Sequence, residues 1–185
     1  MENVSLYVAS PCYGGSVHTT YMKSVCGLQS LCNDLNIPFM LFTIDSESLI
    51  PRARNVCASA FLKSGFSHMI FIDSDIQFDP DDIINMIKKD RGVLGGNYPT
   101  KHLQFENMKH AVENNECLNI QQLVSQSVNY TAHGLHSKVQ NGIVKCKYIG
   151  TGFMLIKRNV LQNIITNNFE TIKYKNNIPG YAYLT

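Results

Sequence analysis

Three short, almost uninterrupted apolar runs govern what this chain can fold into: Val4 to Ala9, Pro38 to Ile44 and His68 to Ile72. A sheet with one wet face alternates apolar and polar residues, whereas strands covered by helices on both faces read as continuous apolar stretches, which points to a parallel sheet. The segments between the runs are helical in pattern. Val17 to Leu35 carries apolar residues at mixed three and four spacing, and Pro51 suits the first turn of a helix running to about Lys63, with Val56, Ala60 and Phe61 on one side. Asp79 is a good N-cap, Pro80 fits the first helical position, and Asp81 and Asp82 favour the positive end of a helix dipole. A third helix should therefore follow the third run, and the first hundred residues read as a βαβαβα unit.

Beyond that unit the pattern weakens. Val93 and Leu94, within Arg91 to Gly96, give a short strand that opens into Asn97-Tyr98-Pro99. Thr100 to Gly142 is polar, rich in Gln and Asn and weakly periodic, which predicts a lid or an excursion off the sheet rather than a linker between domains. Gly142 to Tyr148 alternates and predicts a strand, Gly150-Thr151-Gly152 interrupts, and Phe153 to Ile156 resumes. Arg158 to Phe169 predicts a last helix, and Ile178-Pro179-Gly180 a turn followed by an exposed tail. The expected class is α/β, a parallel sheet flanked by helices, in a single domain over residues 1–185.

Composition bounds the function. With 16 Lys plus Arg against 14 Asp plus Glu in 185 residues and no dense basic tract, the phosphate neutralisation that nucleic-acid binding requires is absent. No apolar run approaches the ~18 residues of a membrane span, and the start Met1-Glu2-Asn3 has neither basic n-region nor cleavage site, so a cytoplasmic protein is expected, in the host cytoplasm if viral. Cys12, Cys26, Cys32, Cys57, Cys117 and Cys146 form no CxxC pair, and several sit in apolar stretches, so they read as reduced thiols.

The strongest chemical signal is Ile72-Asp73-Ser74-Asp75. Two carboxylates two positions apart stand where a buried parallel strand emerges at its carboxyl end, the edge at which open α/β sheets place ligands. Hard oxygen ligands there suit Mg²⁺ or Mn²⁺. A lone D-x-D is common, and its bland reading is a solvated strand end. An EF-hand starting at Asp73 would need Gly at Phe78 and Glu at Ile84 and fails at both; GxxxxGK[ST] does not occur; a phosphatase nucleophile pair belongs on the first strand, not the third. A metal at the lip of the sheet, facing a nucleotide diphosphate, remains.

Four blocks occur in a telling order: Ile50-Pro51-Arg52-Ala53-Arg54-Asn55, Phe71-Ile72-Asp73-Ser74-Asp75-Ile76, Gly95-Gly96-Asn97-Tyr98-Pro99 and Gly150-Thr151-Gly152-Phe153-Met154-Leu155-Ile156-Lys157-Arg158. Together they resemble glycosyltransferases of the GT-A fold, closest to the small nucleotide-sugar transferases of bacteria, phages and large DNA viruses. The resemblance covers roughly Val4 to Arg158 and is weak between Thr100 and Gly142. It implies a Rossmann-like, mixed and mostly parallel sheet flanked by helices, in two halves: residues 1–99 bind nucleotide and residues 100–185 form the acceptor side.

The same resemblance implies roles. Ser10, Pro11 and Tyr13 would cover base and ribose, and Asp45 would hold base or ribose. Asp73 and Asp75 would form the metal site for Mn²⁺ or Mg²⁺, Asp75 as the direct ligand, while Asp73 would more often reach the ribose, or the metal through water. Arg52 and Arg54 would bind diphosphate or clamp the two aspartates, or form plain ion pairs. Asn97 and Tyr98 would meet the donor sugar, or merely turn before Pro99. Gly150 and Gly152 would admit close approach of a sugar, or mark a bulge. His133 and His136, three apart, are weak metal candidates, and Tyr13-Gly14-Gly15-Ser16 is a weak anion site. His18, His68, His102 and His110 have no partner visible in sequence.

The implied reaction moves a sugar from a nucleoside diphosphate donor, a UDP- or GDP-sugar, to a hydroxyl of a glycan, lipid or protein. An inverting enzyme needs a carboxylate base, which in the family lies beyond the Gly-Thr-Gly strand; here Glu170 is the sole acid after Arg158. Three outcomes are open: a truncated chain lacking the base, Glu170 in its place, or a retaining reaction. The alternative function is a nucleotide-sugar or glycan-binding module that has lost catalysis. A nucleotidyltransferase ranks last, because Gly14-Gly15 lacks a neighbouring Arg or Lys.

Overall fold

A computed structural model describes residues 3–114, 119–132, 138–175 and 182–184, with side chains described through residue 167. In chain order the elements are β1 (Leu6–Cys12), α1 (Thr19–Asp34), β2 (Phe39–Asp45), α2 (Ile50–Ser64), β3 (His68–Ile72), α3 (Pro80–Lys88), β4 (Val93–Gly95), β5 (Pro99–Leu103), α4 (Phe105–Asn114), α5 (Ile120–Gln126), β6 (Val128–Tyr130), β7 (Phe153–Lys157), α6 (Arg158–Ile172), β8 (Lys173–Lys175) and β9 (Ala182–Leu184). They fall into two compact units, Gly96–Gly150 and the remainder.

The larger unit is an α/β layer structure around a five-stranded sheet of order β2-β1-β3-β7-β4. β1 pairs in parallel with both β2 and β3, while β7 is antiparallel to β3 and to β4, so β4 runs the same way as the first three. The sheet is mixed and mostly parallel. β3 is buried along its whole length because it lies between β1 and β7. Tyr7, Ala9, Met69 and Phe71 point to one face, where Cys57, Ala58 and Phe61 of α2 and Leu161 of α6 close over them. Tyr7 lies 5.6 to 5.9 Å from the rings of Phe42, Phe61 and Phe66. The alternate residues Leu6, Val8, Ile70 and Ile72 are equally buried and point the other way. The buried stripes Tyr21, Val25 and Leu28 of α1 and Ile83, Ile84 and Ile87 of α3 supply further core. Each such side chain, fully removed from water, contributes about 1.5–3 kcal/mol before entropy is counted.

Local chemistry sets the ends of the helices. The Asp79 carboxylate accepts from the Asp81 amide at 3.0 Å and caps α3, as its sequence position predicts. α2 stops at Gly65, whose φ of 82° is cheap only for glycine. Beyond it Arg158 closes the helix end: Nη2 donates to Phe61 O at 2.7 Å, Nη1 to Leu62 O at 3.0 Å and Nε to Phe66 O, with the guanidinium carbon 4.6 Å from the centre of the Phe61 ring.

Several expectations change. β1 continues through Ser10, Pro11 and Cys12, which read as loop, because β2 pairs with it along the full seven residues. The run Pro38 to Ile44 does not give a fully covered strand: β2 is the sheet edge, with one neighbour, and Met40 and Leu41 are exposed. Residues 142–148 form no strand; Asn141 and Gly142, at φ 51° and 73°, make a tight turn closed by an isolated bridge between Gln140 and Ile143. The polar stretch from Thr100 has regular structure of its own. In the smaller unit β5 and β6 form an antiparallel pair, and α5 opens with a capping box in which Asn119 and Gln122 bond each other's backbone. Ile178-Pro179-Gly180 lies outside the described residues, while β9, expected as tail, pairs antiparallel with β8. Among the described cysteines, Cys12, Cys26, Cys32, Cys57 and Cys146 are free thiols; Cys117 lies outside them. No helix among the described residues is long and apolar enough to cross a membrane.

Candidate functional site

The chain leaves β1 to one side to form β2 and then crosses back over β1 to form β3. The connections therefore diverge between β1 and β3, and in open α/β sheets a crevice opens at such a point outside the carboxyl ends of the strands. Asp73-Ser74-Asp75 follows β3 directly at that point. The segment is held on several sides: Asp73 N donates to Gly152 O at 2.8 Å, Ile76 N closes a tight turn onto Asp73 O at 3.0 Å, and His18 N donates to Ser74 O at 2.9 Å. At the end of β1 the Cys12 thiol donates to Ser10 O at 3.4 Å; burial pushes this thiol up, Ser74 partly opposes the shift, and the Asp45 charge at the end of β2 adds to the rise.

The two arginines of the Pro-Arg-Ala-Arg block part company. Residues two apart on a helix lie about 200° apart around its axis, so Arg52 and Arg54 cannot serve one point. Arg54 turns to the strand ends: Nη2 donates to Asp73 Oδ1 at 2.7 Å, Nη1 donates to Thr151 O at 3.1 Å, and the guanidinium carbon lies 5.2 Å from the centre of the Phe71 ring. Its Nε is buried without a hydrogen-bond partner. Arg52 turns to Glu47 and donates from Nε to Oε2. Of the alternatives the sequence left open for the two arginines, Arg54 takes the clamp, on Asp73, and Arg52 the plain ion pair, with Glu47.

Other predicted residues divide in the same way. Ser10 is fully buried and its hydroxyl is paired with that of Tyr21, so its side chain faces the core and not the strand-end surface. Pro11 is half-buried and Asp45 exposed, at the ends of β1 and β2. Tyr13 is exposed, in a short 3-10 turn with Gly14 and Gly15, both at positive φ. Gly152 is buried and holds the Asp73 amide through its carbonyl. Asn97 belongs to the smaller unit, where its side-chain oxygen accepts from Ala132 N at 3.2 Å. There Gly150 makes room for Tyr98: a Cβ on it would lie 2.6 Å from the Tyr98 hydroxyl and 2.9 Å from Thr131 Cβ. Glu170 sits in α6, but its side chain, like His133 and His136, lies outside what the structure describes.

Glu47 is the residue that sequence reasoning passed over. Its side chain is 5% exposed, and its Oε1 accepts from Leu49 N at 2.9 Å. The bonds from Arg52 and the Leu49 amide hold its carboxyl below the usual range. The available signal was an acid just ahead of a helix whose first turn carries Arg52.

The fit of a divalent cation rests on the donor set. No group of three His, Cys, Asp or Glu side chains among the described residues could hold a metal by protein ligands alone. Asp73, 36% exposed and with one oxygen on Arg54, and the half-buried Asp75 fit an ion that takes one or two carboxylates and completes its shell with water and phosphate. No protein-family model matches the chain, and neither does any curated protein.

Proposed function

We propose that this chain is a metal-dependent glycosyltransferase that moves a sugar from a nucleoside diphosphate donor to an acceptor hydroxyl. The observation that carries the reading is the position of Asp73 and Asp75, immediately after β3 and at the divergence of the β1 and β3 connections. The order of the four sequence blocks supports it, as does the mixed, mostly parallel sheet.

In this reading Asp73 and Asp75 would hold Mn²⁺ or Mg²⁺, and an ion bound there would supply positive charge to stabilise a departing diphosphate. Arg54 fixes the Asp73 carboxylate against the backbone of Thr151, so that carboxylate is oriented before the donor arrives. Asp45 and Tyr13, at the ends of β2 and β1, offer a hydrogen-bond acceptor and an exposed ring to ribose and base. Asn97 and Tyr98 are assigned to the donor sugar on the strength of the sequence blocks alone. Glu170 is the acid assigned to the acceptor proton if the reaction inverts. The acceptor is a glycan, lipid or protein hydroxyl, and a cytoplasmic location belongs to the same reading.

Donor hydrolysis and transfer, assayed with UDP- and GDP-sugars and Mn²⁺, test it. Turnover by the parent that is lost in Asp75→Ala supports the enzyme. Donor binding without turnover in either protein supports the catalytically silent binding module on the same scaffold.

A further inference from the structure

β2 is the outermost strand of the five-stranded sheet, and among the described residues only β1 pairs with it. The Leu6 amide donates to Pro38 O at 2.8 Å. With the parallel register, that bond turns the amides and carbonyls of Met40, Phe42 and Ile44 toward β1 and those of Phe39, Leu41, Thr43 and Asp45 outward. An open edge of this kind is a template for another strand, and edges that stay open are blunted by Lys, Pro, a bulge or short length. The opposite edge, β4, is blunted by being three residues long. β2 uses none of these devices. It runs seven residues in unbroken register, Phe39 to Ile44 contains neither charge nor Pro, and Met40 and Leu41, on opposite faces, are 41% and 43% exposed. Exposed apolar residues continue the patch along the chain at both ends, Leu35 ahead of β2 and Leu49 and Ile50 after it.

We infer that β2 is an interface between two copies of this chain, paired antiparallel about a two-fold axis at Phe42 so that their sheets become continuous. The pattern of the strand itself selects a second copy. A two-fold axis normal to the sheet keeps each side chain on its own face, and with the axis at Phe42 outward-facing residues meet outward-facing residues. Leu41 then opposes Thr43 of the second copy and Phe39 opposes Asp45, so every outward amide and carbonyl of the strand finds a partner. Between them Met40 meets Ile44 and Phe42 meets its own equivalent, apolar against apolar. The one charge on the strand, Asp45, faces no like charge across the pair: the two Asp45 residues stand about 20 Å apart, beyond the screening length. Antiparallel pairing also brings the Leu35 end of one copy to the Leu49 and Ile50 end of the other. The carboxyl edges of the two sheets face opposite ways and only backbone bonds are used, so the inference does not depend on what Asp73 and Asp75 bind.

Sedimentation velocity of the whole chain over a concentration series tests it, with the parent beside Thr43→Lys and Thr43→Pro. Thr43 is exposed and its amide points outward, so neither change removes a bond to β1. The parent is expected to sediment as a dimer that dissociates on dilution. Each variant is expected to raise the dimer dissociation constant about a hundredfold and to keep the circular dichroism of the folded chain. Thr43→Lys, which leaves the backbone free to hold its strand angles, keeps the test open if Thr43→Pro does not fold. A parent that is monomeric at every concentration, a dimer that the folded variants retain, or an assembly larger than a dimer overturns the inference.

Discussion

Arg54 and Asp73 form the ion pair on which the carboxyl edge of the sheet is organised: one guanidinium nitrogen meets the Asp73 carboxylate at 2.7 Å and the other the Thr151 carbonyl at 3.1 Å. α2, the segment after β3 and the segment before β7 are thereby joined through a single side chain. The Arg54 side chain is 14% exposed and its partner 36%, so solvent weakens the pair but does not abolish it. Arg54→Ala is expected to lower stability by about 1–2 kcal/mol. Arg54→Lys recovers little of it, since one ammonium cannot reproduce the planar fork. Urea denaturation of the three proteins checks the ranking.

A larger loss is expected at Arg158, which satisfies three carbonyls around the end of α2 and stacks on Phe61. Removing it leaves those acceptors short of donors and uncovers the ring. Arg158→Ala should cost about 2–4 kcal/mol, with Arg158→Lys in between. Thermal unfolding that places Arg158→Ala level with the parent contradicts the capping role.

Gly150 is required by contact and not by backbone angle. A methyl group there meets the Tyr98 hydroxyl and Thr131, so Gly150→Ala is expected to destabilise the smaller unit by about 1–3 kcal/mol. Shortening the opposing side chain, Tyr98→Ala, should relieve the part of that cost set by the Tyr98 hydroxyl and leave the part set by Thr131 Cβ at 2.9 Å, a partial non-additivity that a double-mutant cycle reads directly. Hydrogen exchange of amides in residues 96–150 locates the effect.

His68 gives the pH dependence a sign. Burial, with the Lys157 charge beside it, pushes this imidazole below its ordinary value, and Asp90 only partly opposes the shift. The folded protein prefers the neutral ring. The contribution is therefore complete above about pH 6.5, where the unfolded ring is neutral too, and is lost as pH falls from there through the folded pKa. His68→Gln should flatten the stability profile in that acid window and leave it unchanged at pH 8, measured by urea titrations across the range.

Legibility in the sequence follows the range of the interactions involved. β3, its acidic exit and the cap on α3 are local, and the residues that make them are adjacent, so they read correctly. The exposure of Met40 and Leu41 was hidden because an apolar run states how a strand could be covered, whereas strand order decides whether it is. Ser10 looked like an active-site loop residue because its partner, Tyr21, sits on α1 and no local pattern links the two hydroxyls. The parting of Arg52 and Arg54 follows from helical geometry alone and was available once α2 was drawn. The Arg158 clasp was not, since its acceptors lie more than ninety residues earlier in the chain.

The central claim is that Asp73 and Asp75 hold a cation that grips a diphosphate, and thermal stability with UDP or GDP, with and without Mn²⁺, in the parent and Asp75→Asn tests it most directly. A ligand at one hundred times its dissociation constant stabilises the folded state by about 2.7 kcal/mol. The account predicts that shift in the parent only when nucleotide and Mn²⁺ are present together, and its loss in Asp75→Asn. A parent indifferent to both, or a nucleotide shift that survives the substitution and ignores the metal, contradicts it.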